Sequence, residues 1–181
     1  MSARELELER SGRAFDLFLR RNLATGATVV FRRSLLDAAL PFPGEWVHDE
    51  WLAVLAAALG GVAVVTDQTV DYRLHGANQI GVSAPTLRYK VGRVLERRGE
   101  RNRILARRFA VLAERLDTLP VAESVRRAAH AKAQFEARRA AMPESRVRRV
   151  FPVLRLAATK AYGRFASRGV ADIGRDLVQP A

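Results

Sequence analysis

At Pro85 the apolar pattern of this chain changes period, and that change limits its fold more than any other feature. Beyond it, Leu87, Val91, Val94 and Leu95, then Ile104, Leu105, Phe109, Leu112 and Leu116, recur at three- and four-residue spacing. That spacing lines one side of a helix. It predicts a long helix or a broken pair, a second helix near residues 121–141 beyond Pro120, and another beyond Pro143. In the last of these, Val147, Val150, Phe151, Leu154, Ala158, Ala161 and Phe165 form one stripe, with Arg148, Arg149, Arg155, Lys160, Arg164 and Arg168 outside it. Pro152 suits the first turn of a helix better than its interior, which moves the expected start to Phe151.

Before Pro85 short segments alternate. Residues 4–20 read as a helix with a frayed start. Ala27–Phe31 is rich in β-branched residues and reads as a strand. Ser34 is a good N-cap for a helix over Leu35–Leu40, with Asp37 in a capping-box-like position, and Pro41 and Pro43 stop it. Asp49 opens an alanine-rich helix carrying Trp51, Leu52, Leu55 and Leu59, which Gly60-Gly61 ends. Val62–Thr66 and Thr69–Leu74 read as two further strands. The expected architecture is α/β in residues 1–84, a partial mixed sheet with flanking helices, followed by a basic α-helical region over residues 85–181.

Charge divides the chain in the same place. Net charge is +12, of which residues 1–85 hold −2 and residues 86–181 hold +14. A basic half of this kind faces something anionic, or its arginines solvate the outer sides of long helices. There is no cysteine, which excludes disulfides and thiolate metal sites. Met1–Arg10 is charged throughout and lacks the apolar core of a signal peptide. The longest uncharged stretch, Trp51–Thr66, is shorter than a membrane span. The expected location is cytoplasmic, with attachment to the inner face of the membrane as the peripheral variant.

Chemistry concentrates at two places. Asp49 at a helix N-terminus is held in a fixed direction and open to a substrate hydroxyl, as a general base must be. His48 and Glu50 flank it and point to other sides. A first-turn carboxylate also serves simply to stabilise its helix. His75, past the third strand and before Gly76, suits a divalent metal, and Arg73 on the same side suits a phosphate. Equally, His75 suits a hydrogen-bonded strand end, and Arg73 a pairing with Asp71 or Asp49. Trp46 and Trp51 offer a stacking wall for a sugar, although Trp51 fits the core as well. No Gly-rich phosphate loop, Gly-x-Ser-x-Gly, His-Glu-x-x-His or Asp-x-Asp occurs.

Four ordered blocks carry a resemblance: Asn22 to Leu36 (with Thr25-Gly26), Leu40-Pro-Phe-Pro43, His48-Asp49-Glu50-Trp51, and Tyr72-Arg73-Leu-His75-Gly76 through Gly81. Together they resemble the C-terminal, acceptor-side half of family 2 glycosyltransferases of the rhamnosyltransferase-like branch, whose members have the GT-A fold. The resemblance implies inverting transfer of a sugar from a nucleotide-sugar to a hydroxyl of a glycan or lipid-linked acceptor. Asp49 would be the catalytic base, and His75 would lie beside a divalent metal (Mg or Mn) and the diphosphate. Thr25 and Gly26 would border the acceptor pocket, with His48, Glu50, Trp51 and Arg73 completing the substrate-binding set. The family's nucleotide-binding half, which ends in Asp-x-Asp, has no counterpart after Met1. The expectation is therefore an inactive fragment: a misassigned start, a split gene, or a subunit completed by another chain or by self-association at exposed sheet edges.

A second expectation belongs to another class. The basic half reads as a non-catalytic helical module that docks on an anionic membrane surface or on nucleic acid. The final stripe fits a membrane surface, because headgroups attract its arginines while its apolar side inserts. Packing on neighbouring helices is the default for the same stripe. Nucleic acid is disfavoured, because Tyr89, Phe109, Phe135, Phe151, Tyr162 and Phe165 fall on apolar stripes rather than among the basic residues.

Overall fold

The structure is a computed structural model that describes residues 7, 9–67, 70 and 98–179. A π-helical turn, Glu9–Arg13, leads into α1 (Ala14–Phe18). Gly12 breaks the turn with a left-handed backbone (φ 76°), a conformation that only glycine adopts without strain. A 3₁₀ turn, Gly26–Thr28, precedes α2 (Leu35–Ala39) and α3 (His48–Ala58). The second half contains α4 (Arg98–Asp117), α5 (Glu123–Ala140), α6 (Arg146–Ala158), α7 (Ala161–Phe165) and α8 (Ala171–Val178).

Among the described residues there is no strand and no sheet, which overturns the α/β expectation and with it the GT-A resemblance. The physical reason lies in the two β-branched runs. Of the segment expected as the first strand, the Gly26–Thr28 turn takes the start, and Val30 beyond it is 98% exposed. Val62–Thr66 forms no ladder, and Val65 is 72% exposed. A run of β-branched residues becomes a strand only when a partner takes its backbone hydrogen bonds and a neighbour covers one side. The third expected strand lies, apart from the exposed Val70, outside the described residues, as does the expected boundary at 84/85.

Helices fare better. α3 buries Trp51, Leu52, Val54, Leu55, Ala57 and Ala58, and Gly60 ends it in the left-handed conformation (φ 79°). α4 and α5 form a helical hairpin that turns at Pro120, packing Phe109, Leu112 and Leu116 against Ala128, Ala129 and Phe135. Ser34 does not act as the expected cap: its backbone is already helical and its side chain makes no capping bond. The last expected helix is three. α6 starts at Arg146, upstream of Pro152, and Lys160 (φ 58°) turns the chain before α7.

One apolar core joins the two halves of the chain, running from Phe15, Leu19, Trp51 and Leu55 through α4 and α5 to Val153, Leu156, Tyr162 and Phe165. Polar groups fasten the join. The Arg115 guanidinium donates to the carbonyls of Ala38, Leu40 and Pro41 at 2.9, 2.8 and 3.2 Å, satisfying the open end of α2. Trp51 Nε1 donates to the Ala39 carbonyl and Trp46 Nε1 to the Arg108 carbonyl, both at 2.9 Å.

Candidate functional site

The residues expected around Asp49 assemble in part. Asp49 stands in the first turn of α3, where its Oδ2 accepts the Gly26 N–H at 2.9 Å and its Oδ1 the Glu50 N–H at 2.7 Å. The carboxylate therefore pins the Thr25–Thr28 turn to the start of α3. Gly26 approaches so closely that a Cβ there would lie 3.3 Å from His48 Nε2 and 3.7 Å from Asp49 Oδ2. Thr25, Gly26, His48 and Asp49 thus share one corner, and the contacts that hold it are structural ones.

Glu50 turns the other way and pairs with Arg108 of α4. Trp51 is fully buried against Trp46 and Ala39, a core residue with no surface to offer a sugar. Arg73 and His75 lie outside the described residues. Among the described residues no group of three or more His, Asp or Glu side chains is placed to hold a metal ion.

Two other features carry more. The first is a charged network inside the helical half. Lys132, Glu136 and Arg139 lie along the buried side of α5 at i, i+4 and i+7. Lys132 Nζ donates to Glu136 Oε1 at 2.5 Å and to the Phe165 carbonyl at 2.8 Å. Arg139 makes a two-pronged pair with Asp176 of α8, 2.7 and 2.9 Å, and a further bond to Glu136 at 3.1 Å. Tyr162 Oη donates to Asp176 Oδ2 at 2.8 Å. Burial pushes the Lys132 ammonium below the ordinary lysine value, against the pull of Glu136. For Arg139 burial pulls the same way, yet its hydrogen bond to Asp176 and the charges of Glu136 and Asp176 outweigh it and raise its pKa.

Beside this network lies a cavity of about 170 Å³, walled by the end of α1, the first turn of α3, α4 and α5. Arg20, Arg21, Arg101, Arg108, Lys132 and Arg139 line it against two carboxylates, Glu50 and Glu136.

The second feature is α6, whose buried side carries Arg149, Val153 and Leu156. Arg149 is wholly buried and spends its donors on backbone carbonyls: Pro143 at 3.0 Å, Glu144 at 2.5 Å, Asp176 at 2.9 Å and Gln179 at 2.7 Å. The stripe Val147, Val150, Phe151 and Leu154 points away from the body, and Val147 and Phe151 are 83% and 72% exposed. At about 100° per residue, Arg148 and Arg155 border this stripe on one side and Arg146 on the other; all three are exposed. α6 holds no acidic residue. The default reading of the stripe, packing on neighbouring helices, holds only for Phe165 and partly for Ala161.

The sequence reading missed the buried network. Its signal was present: Ala128, Lys132, Phe135 and Arg139 fall at the spacing of a core-facing stripe, so two cations stand where apolar residues are the rule. No helix among the described residues is long and apolar enough to cross a membrane. Comparison with family models, with curated proteins and with solved structures finds no match to this chain.

Proposed function

We propose that this chain is a peripheral docking module that lays α6 on an anionic membrane surface. The observation that supports this most is the outward apolar stripe of α6, bordered on both sides by arginines. A buried arginine takes the place on the inner side where an apolar residue would otherwise pack. Exposing Val147, Val150, Phe151 and Leu154 to water on a folded body is unfavourable, and insertion at the level of the lipid headgroups relieves it. Arg146, Arg148 and Arg155 would then sit among anionic headgroups, each adding about 1 kcal/mol. The chain's charge of +12 adds long-range attraction to the same surface. Duplex DNA shares the charge complementarity but gives the apolar stripe nothing to enter.

Sedimentation with vesicles tests the reading. Full-length protein is expected to bind vesicles rich in phosphatidylglycerol, to bind pure phosphatidylcholine weakly, and to lose part of its binding in high salt. Because burying one large apolar side chain contributes about 1.5–3 kcal/mol, Phe151→Asp should weaken vesicle binding roughly 10- to 100-fold while leaving the thermal midpoint unchanged. Equal binding by Phe151→Asp and the parent chain would sink the proposal. So would tighter binding to duplex DNA than to anionic vesicles.

A further inference from the structure

We propose that the cleft between α1, α3, α4 and α5 is a binding site for a phosphate group, seated against Arg101 and Arg108. The argument is independent of the membrane reading and starts from how the charges in the cavity are matched. Arg101, Leu105 and Arg108 follow one another along a single side of α4 and look into the cavity. The two carboxylates in the wall are already committed, Glu50 to Arg108 and Glu136 to Lys132 and Arg139. Arg101 is half-buried and has no hydrogen bond or ion pair among the described residues. Burial first, then the charges of Arg175 and Arg139, lower its pKa against the weaker pull of Asp172 and Glu136. Arg108 leaves its Nε buried without a partner. Arg20 reaches the same space, with its Nε at 3.5 Å from the Ala166 carbonyl.

A partly sheltered site with more guanidinium than carboxylate, and with Arg101 unpaired in its wall, is incomplete as it stands. The missing partner is an anion with several acceptor oxygens. Planar guanidinium forks match phosphate oxygens in pairs, and a phosphate monoester brings close to two negative charges to a site where the carboxylates are used up. The cavity, about 170 Å³, far exceeds the roughly 30 Å³ a single water takes up in the liquid. Phe18, Leu105 and the Trp46 ring give it an apolar wall, over which Arg108 already stacks at 4.3 Å.

Thermal unfolding of the full chain in inorganic phosphate, against sodium chloride of equal ionic strength, tests the site. Phosphate at 100 times its Kd is expected to raise the midpoint by roughly 5–10 °C for a chain of this size. Arg101→Gln should abolish that rise. Because burial and the charges of Arg175 and Arg139 outweigh the pull of Asp172 and Glu136 on Arg101, the same variant should match or exceed the parent's midpoint in chloride. This keeps loss of binding distinct from loss of fold. Arg101→Lys should retain a reduced rise, the charge being kept and the fork lost.

A second arm distinguishes the sources. Tighter binding to vesicles containing phosphatidate than to phosphatidylglycerol vesicles of equal charge, with that preference lost in Arg101→Gln, would assign the phosphate to a lipid headgroup. A midpoint rise with no such effect on vesicles would assign it to a soluble phosphate ester. No rise in the parent chain, or an equal rise in Arg101→Gln, overturns the proposal.

Discussion

Replacing Arg139 with alanine should lower the stability of this protein by about 3–5 kcal/mol, a large part of the 5–15 kcal/mol typical of a folded chain. The size of the loss comes from what is left behind. Arg139 is 2% exposed, and its partners Asp176 and Glu136 are each 1% exposed. Taking the guanidinium away leaves the Asp176 carboxylate with the Tyr162 hydroxyl, and leaves Glu136 with Lys132 alone. Two buried charges would then have fewer partners than they hold now. Urea unfolding should show the midpoint falling with an unchanged slope. The double variant Arg139→Met with Asp176→Leu should recover much of the loss, because removing both charges leaves one carboxylate still paired with Lys132. Equal losses in the single and double variants would show that packing, not pairing, sets the effect.

A loss of similar size, about 3–5 kcal/mol, is expected for Trp51→Ala. Trp51 has no exposed surface, lies 5.5 Å from the Trp46 ring, and holds the Ala39 carbonyl through its indole N–H. Alanine would open a cavity at the junction of α2, α3 and α4 and free the end of α2 from one of its two supports, the other being Arg115. Trp51→Phe should cost less, roughly 1–3 kcal/mol, since most of the volume remains and one buried carbonyl loses its donor. Near-ultraviolet circular dichroism and urea unfolding report both. If Trp51→Ala proves nearly silent on stability, the core assignment is wrong and a role at the surface returns.

Much of the helical half was legible in the sequence, and the reason is local. Pro120 and Pro143 mark helix boundaries through their own backbone chemistry, and the apolar spacing from Ile104 to Leu116 can be satisfied within one element. The alanine-rich helix after Asp49 and its glycine stop were legible for the same reason. Strands are not local. Ala27–Phe31 and Val62–Thr66 have the composition of strands, but a strand exists only where a partner supplies its hydrogen bonds. The sequence cannot say that one will be there.

The site divided along the same line. Placement of Asp49 in a first turn could be read directly, whereas its attachment to the Gly26 N–H depends on a loop 23 residues away. For α6 the spacing told which residues share a side but not which side turns inward. Arg149 decides that, and its partners are carbonyls near residues 143, 144, 176 and 179, which carry no signature in the side-chain pattern. The cavity cations of α4 and α5 could not be told from the rest of the basic half, since an arginine aimed inward and one aimed outward look alike in composition.

The charged side of α5 has a consequence for how the helices align. An all-apolar seam tolerates sliding, because leucine one turn along is much like leucine in place. Here a slip of α5 by one turn would carry Arg139 past Asp176 and Lys132 past the Phe165 carbonyl, stranding several ions at once. Only one register of the helices satisfies them all, so what the ions contribute is uniqueness of arrangement more than strength.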